Sequence, residues 1–471
     1  MTASGTTEEL DTAEAAAFAA LLDARSVQVV YQPLVELTTR EQVGVEALAR
    51  GPVGPLESPA ALFAHAARAG RVTELDWACR AAAFQGFLEA DAPPSMSLFI
   101  NVEMASLTRG CPADLLAVVS HAESQLRVFV EFDDAGLASD PAGLLDSVDR
   151  AREMGWGISV DDVGSSLGCL AVLPLVHADV VKLDIRMLDG ESDAAPGVVA
   201  TVLRHVEDAG ATLVVKGIES EEDVRLALAL GARFGQGHHL GRPGPLAEHY
   251  PVPRDVVPLG SGPGAEVPAG RSPFDLVAPR GQRLVHRDLV RRLAHVFAAR
   301  ALSSGARPLV LVGHGTTSWE EVDGAEVEDL GLLAAMSVLT VAFGVGVPPA
   351  PVPGVRGVRV TPGDPLVGES FLLIMTEHMA LSMAARRVAG PGMMEVVITQ
   401  DAEAVAEVAQ HLLRRIPPLG HGDEALPVPR ADGEDRVAAL DDELPDPGAE
   451  PAAEHEPSTS HRLSRLLGRR G

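Results

Sequence analysis

Between Val27 and about Pro245, short runs of β-branched and aromatic residues alternate with longer amphipathic stretches of helical character. The runs Val27–Tyr31, Val43–Val45, Leu98–Ile100, Val128–Val130, Gly157–Val160, Val180–Val181 and Thr212–Val215, with one more near Phe234, read as strands because they are brief, apolar and bounded by turn residues. An alanine-rich helix, Thr12–Arg25, precedes the first of them. Alternation sustained over this length implies a parallel sheet with helical crossovers, and about eight repeats point to a closed (βα)₈ barrel of the TIM type. An open doubly wound sheet is the alternative, but no glycine-rich phosphate loop accompanies the pattern.

Beyond the barrel the pattern changes. Pro251–Gly270 repeats Pro, Gly and Val and reads as a linker. A second, smaller mixed α/β domain follows, with a helix at His286–Leu302, strands at Pro308–Val312 and Met394–Thr399, a buried run at Ser370–Met375 and a helix at Asp401–Arg415. Leu330–Val347 carries no charge but is interrupted by Gly331, Gly344 and Gly346 and lacks basic flanks, so it reads as a core helix running into a buried strand, not as a membrane span. Gly420–Pro457 is rich in Pro, Asp, Glu and Ala and is expected to be disordered. The expected organisation is a helix and tail over 1–25, the barrel over 26–248, a linker over 249–271, the second domain over 272–418 and an acidic tail over 419–471. That tail ends in Arg462, Arg465, Arg469 and Arg470 with Leu463, Leu466 and Leu467 between them, read as a solvated end.

Composition narrows the partners. The chain of 471 residues has a formal net charge of -28 and only 4% aromatic residues, which disfavours DNA, RNA and acidic membranes and leaves anionic ligands dependent on locally placed cations. Cys79, Cys111 and Cys169 are odd in number and lack metal-ligand spacing, as expected of reduced thiols in a cytoplasm. The N-terminus has no basic region followed by an apolar core, so export is not expected. Of 38 basic residues only Lys182 and Lys216 are lysines, and a compact ammonium does work that a guanidinium cannot.

Directly after the strand-like runs stand Glu46, Asn101, Glu131, Asp161 with Asp162, Lys182, Lys216 and Gln236. The C-terminal strand ends of a barrel converge on one mouth, so these groups are expected to meet. Asn101 or Gln236 alone reads equally well as a cap or turn former; a polar group after seven strands in succession does not. Glu46, Glu131 and Asp161, with the Asn101 carbonyl, form a hard-oxygen set suited to Mg²⁺ or Mn²⁺, and Asp162 beside Asp161 offers a bridge to a second ion. Two such ions about 4 Å apart suit in-line attack on a phosphodiester.

The residues Tyr31-Gln32-Pro33-Leu34, Glu46-Ala47-Leu48-Ala49-Arg50, Asn101, Glu131, Asp161-Asp162, Lys182-Leu183-Asp184 and Gln236-Gly237 through Arg242-Pro243 resemble the EAL family of cyclic di-GMP phosphodiesterases, in that family's order over about residues 26–245. The resemblance implies a modified (βα)₈ barrel that cuts cyclic di-GMP to the linear dinucleotide pGpG with Mg²⁺ or Mn²⁺, usually as a homodimer. It implies that Glu46, Asn101, Glu131 and Asp161 hold one metal and that Asp161 and Asp162 reach another. Lys182 would touch the attacking water or the phosphate, Gln32 and Arg50 the ligand, and Gln236 would help close the site.

Val215-Lys216-Gly217-Ile218-Glu219 aligns with the family's Ala-Glu-Gly-Val-Glu, so Lys216 stands where a catalytic glutamate is expected. Val163-Gly164-Ser165-Ser166-Leu167-Gly168-Cys169 departs from the family's loop, Asp134 stands for a bracing glutamate, and Ile185 replaces a basic residue. Three functions compete on this reading: a slow or conditional phosphodiesterase, a cyclic di-GMP receptor disabled by Lys216, and a ligand-independent interaction protein. Ser272–Leu276, Arg307–Val312, Leu366–Phe371 and Ala384–Arg387 resemble, more weakly, the DICT sensory module, which implies signal input. His314 and His378 read as loop or cap residues.

Overall fold

The computed structural model describes residues 4–133, 140–164, 167–188, 195–260, 270–303, 306–315 and 318–417. The chain forms two compact units. The expectations placed on Asp134 and on the tail beyond residue 417 fall outside the described residues.

In the first unit, α1 (Ser4–Asp23) leads into β1 (Gln28–Glu36) and β2 (Gln42–Arg50), then α2 (Pro59–Arg68), α3 (Val72–Glu89), β3 (Ser97–Asn101), α4 (Met104–Leu107), α5 (Leu116–Gln125), β4 (Arg127–Asp133), α6 (Pro141–Glu153), β5 (Gly157–Asp161), α7 (Leu167–Val172), β6 (Val180–Asp184), α8 (Ala195–Ala209), β7 (Thr212–Lys216), α9 (Glu221–Ala229) and β8 (Phe234–Gly235). Strands β1 to β8 close into a barrel in chain order. The expectation of an all-parallel sheet needs one correction, because β1 runs antiparallel to both β2 and β8. Only five residues, 37–41, join β1 to β2, too few for the crossover that parallel neighbours require. The first helix also begins eight residues earlier than Thr12, at Ser4.

Strand periodicity builds the interior in layers. Leu34, Val43, Phe99, Phe129, Val180, Val214 and Phe234 form one apolar cluster, in which Phe99 and Phe129 stack at 4.7 Å with planes 11° apart. Residues two positions further along a strand face the same way one layer higher, and beyond Phe99, Phe129, Val180, Val214 and Phe234 those residues are Asn101, Glu131, Lys182, Lys216 and Gln236. The cluster also contains Val257, which is wholly buried. Residues 251–260 were expected to be linker, yet this stretch crosses the end of the barrel opposite the mouth: Arg127, at the start of β4, donates to the Val257 carbonyl, and Leu259 lies against Gly157 at the start of β5. The seven interior residues leave an apolar floor that the strands cannot cover themselves, and burying a valine there contributes roughly 1.5–3 kcal/mol.

The second unit contains α10 (Pro273–Val277), β9 (Arg283–His286), α11 (Arg287–Ser303), β10 (Leu309–His314), α12 (Gly324–Met336), β11 (Leu339–Gly344), β12 (Val355–Arg359), β13 (Glu369–Met375), β14 (Ala380–Arg387), β15 (Met393–Thr399) and α13 (Ala402–Leu413). Its seven-stranded sheet has the order β12-β11-β10-β13-β14-β15-β9, parallel across β10, β11 and β12 and antiparallel elsewhere. The uncharged stretch from Leu330 becomes the end of α12 and then β11, and among the described residues no helix is long and apolar enough to cross a membrane. His378 lies in the turn between β13 and β14, its backbone N–H donating to Thr376 Oγ1 at 3.1 Å.

His314 is instead the last residue of β10 and meets Trp319 edge-on at 5.6 Å. Its Nε2 is buried with no hydrogen-bond partner, and burial pulls its pKa down to about 4. The unfolded chain therefore binds a proton near pH 6.5 that the folded chain refuses. Stability of the second unit is expected to hold above about pH 6.5 and to fall as pH drops from there toward 4. In His314→Phe that part of the acid slope should flatten in denaturant titrations at stepped pH; an unchanged slope assigns the acid loss to other groups.

Candidate active site

Seven strands contribute to the mouth, and local geometry aims each residue. After β5 the chain turns sharply at Asp162, whose φ of 54° is left-handed, and the Asp162 N–H donates to Asp161 Oδ1 at 2.8 Å. After β7, Gly217 has φ of 79°, and a Cβ there would sit 2.9 Å from Asp184 Oδ1, so glycine is required by both conformation and space. Ser220 and Asp223 then form a reciprocal capping box that starts α9. This fixes the chain immediately beyond Lys216.

The charged groups form two linked clusters. Lys182, 1% exposed, lies above Phe99, with Nζ 5.2 Å from the ring centroid. It donates to Glu46 Oε2 at 2.8 Å and pairs closely with Glu131 Oε1. Asn101 Nδ2 donates to Glu46 Oε1 at 3.2 Å, and Ser159 Oγ to Glu131 Oε1 at 3.4 Å. In the second cluster Lys216 Nζ lies 2.9 Å from Asp161 Oδ1 and 2.5 Å from Asp162 Oδ1. Glu46, Glu131 and Asp161 each bring a carboxylate oxygen within 4.8 Å of the others.

Burial penalises the charges of Glu46, Glu131, Asp161, Lys182 and Lys216, and pairing decides which survive. Burial works against ionisation of Glu46, but the Lys182 ammonium outweighs it and holds that carboxyl below its ordinary range. Glu131 is pushed well above the carboxylate range, first by burial and then by the Glu46 charge. Asp161 is raised by burial despite both lysines. Burial would discharge Lys182 and Lys216, yet the carboxylates around each raise both pKa values and keep them cationic.

The remaining expected residues stand apart to different degrees. Gln236 is buried and near Glu46, close enough to help hold it ionised, but its Nε2 makes no hydrogen bond of good geometry. Gln32 is opposite Glu46 in the β1–β2 register, while its amide donates to the Gly241 carbonyl at 3.3 Å. Arg50 lies four residues past Glu46, about 13 Å along the strand, and donates to the Ala49 carbonyl at 2.8 Å. Ser159 was missed by sequence reasoning; its signal was a small polar residue two before Asp161, on the inward face of a buried strand. Asp184, quoted only as part of a motif, pairs with Arg186 through Nε at 3.0 Å and also feels Lys216.

A divalent cation fits this donor set. Glu131 Oε2 is fully buried without a hydrogen-bond partner, an arrangement that costs free energy unless a donor or cation answers it. The converging oxygens are all hard, as Mg²⁺ and Mn²⁺ prefer.

Residues 15–243 match the family model of the EAL domain. Over 233 residues the chain is 30% identical to a cyclic di-GMP phosphodiesterase of Pseudomonas aeruginosa, covering 46% of this chain and 38% of that protein. An uncharacterized protein of Mycobacterium tuberculosis is 27% identical over 234 residues, covering 48% of this chain and 37% of that protein. The chain thus spans less than two fifths of the length of either. Similar solved structures include the PaMucR phosphodiesterase in complex with c-di-GMP, with TM-score 0.41, 24% identity and coverage of 48% of this chain and 94% of that one. A manganese/cy-diGMP complex of Klebsiella pneumoniae BlrP1 gives TM-score 0.41 and 26% identity over 46% of this chain and 56% of that one.

Proposed function

We propose that the EAL domain binds cyclic di-GMP in the barrel mouth together with Mg²⁺ or Mn²⁺ and hydrolyses it to linear pGpG only slowly, so that it acts mainly as a cytoplasmic receptor. The observation that carries the reading is the convergence of Glu46, Glu131 and Asp161 around the unanswered Glu131 Oε2. These three residues, with Asn101, would hold the cation, which would supply electrophilic stabilisation of a phosphoryl oxygen. Gln236 Nε2 is a buried donor near Glu46 with no hydrogen bond of good geometry and could turn to the ligand, Gln32 lies beside Glu46 in register, and Arg50 offers a fixed guanidinium for phosphate. Lys182 is spent on Glu46 and Glu131, so its part is to hold those carboxylates in place more than to meet the attacking water.

Slow hydrolysis follows from Lys216. An ammonium bonded to Asp161 and Asp162 cannot accept a proton from water, and loss of a general base costs about 10²- to 10⁴-fold in rate. The second unit, similar in short motifs to the DICT module, would supply signal input, and a homodimer is the assembly the family reading favours. Calorimetry of the full chain with cyclic di-GMP and Mg²⁺ is expected to show saturable binding, with linear product accumulating over hours at most. Absence of binding at high micromolar ligand would overturn the reading and favour a ligand-independent interaction protein.

A further inference from the structure

We infer that the barrel mouth is built to take one divalent cation, with the Lys216 ammonium standing permanently in the place of a second. The inference rests on the functional reading above and extends it to the charge of the site. Lys216 bridges Oδ1 of Asp161 and Oδ1 of Asp162, two adjacent carboxylates, at 2.9 and 2.5 Å. A cation tethered by the chain therefore already occupies the oxygens that a second ion would need. Lys216 ends β7, with Val214 in the apolar layer two residues before it and the left-handed Gly217 directly after it.

Charge balance leads to the same count. Glu46, Glu131, Asp161 and Asp162 face Lys182 and Lys216, so in the cation-bound site, where every ligating carboxyl is ionised, the four carboxylates exceed the two ammonium groups by two charges. One divalent ion cancels that excess. Asp184 does not alter the balance, because Arg186 answers it. With glutamate at position 216, five carboxylates would face one ammonium, and the excess of four would call for two divalent ions. Balance matters because an unpaired charge among buried groups is strongly unfavourable. The one open position is marked by the unpartnered, buried Glu131 Oε2 among oxygens 4.8 Å apart or less.

Manganese alone, titrated into the full chain and followed by electron paramagnetic resonance and calorimetry, is expected to bind at one site per chain. Lys216→Glu is expected to bind two ions, with the broadened spectrum of a coupled pair, and Lys216→Gln, which vacates the Asp161 and Asp162 oxygens without adding a carboxylate, to take up a second ion more weakly than Lys216→Glu does. Two ions or none in the natural protein overturns the inference, as does a folded Lys216→Glu protein that remains at one. Should Lys216→Glu fail to fold, the counts for the natural protein and Lys216→Gln decide. Cyclic di-GMP binding measured on the same samples separates the two readings. Loss of dinucleotide binding with one manganese retained overturns the functional reading and supports the single-cation site, while two manganese ions with dinucleotide binding intact overturns the single-cation site alone.

Discussion

Lys216→Glu is expected to raise the rate of cyclic di-GMP hydrolysis at least tenfold. The substitution removes the ammonium bonded to Asp161 and Asp162 and returns a carboxylate to the end of β7. Both changes favour chemistry, since a base regains the chance to take a proton and the two aspartates regain free oxygens for a cation. The gain should stop short of the full 10²- to 10⁴-fold attributed to a general base, because the segment from Val163 to Cys169 keeps its departures from the family pattern. Chromatographic measurement of linear dinucleotide under Mg²⁺ and under Mn²⁺ reads the effect directly. An unchanged rate in a folded variant would move the defect from Lys216 to that segment.

Lys182→Met should be the most destabilising change in the mouth. Lys182 is 1% exposed and bonded to two buried carboxylates, so methionine keeps most of the volume but leaves Glu46 and Glu131 facing each other without a cation. Breaking a buried pair by removing one partner costs about 3–5 kcal/mol, which for a domain of this size lowers Tm by roughly 10 °C. The loss should shrink at acidic pH, where protonation discharges the carboxylates, and should also shrink on adding Mg²⁺. Urea titrations across pH test both statements, and a loss under about 1 kcal/mol at neutral pH would show that the pair is not what holds Lys182 in place.

Much of this site is legible in the sequence, for a definite reason. Inward positions of a barrel strand repeat every second residue, so Phe99 and Asn101, Phe129 and Glu131, or Val180 and Lys182 announce a floor and a rim in a few letters of sequence. The uncharged stretch after Leu330 was likewise readable, because its glycines and missing basic flanks argued against a membrane span. Pairing was not readable. Nothing in the sequence states that Lys182 serves Glu46 and Glu131 while Lys216 serves Asp161 and Asp162, since both follow apolar strands and only the three-dimensional register assigns their partners. The antiparallel β1 was hidden as well, because strand-like runs carry no direction and the decisive clue was the five-residue connection to β2. In the second unit β9, β12 and β14 escaped notice as separate strands, their alternation being short and interrupted by turns.

The segment that ends at Val257 bears on how the protein is made. The region matching the EAL family stops at residue 243, yet the floor of its barrel is completed by a valine fourteen residues later. On the ribosome, β1 to β8 can emerge in full and still present the apolar ends of Leu34, Phe99, Phe129 and Phe234 to the cytosol or to a chaperone. Only when the Pro-, Gly- and Val-rich stretch clears the exit tunnel can the barrel be sealed from beneath. Synthesis thus delivers the open end of the barrel, with its four carboxylates and two lysines, before the closed one.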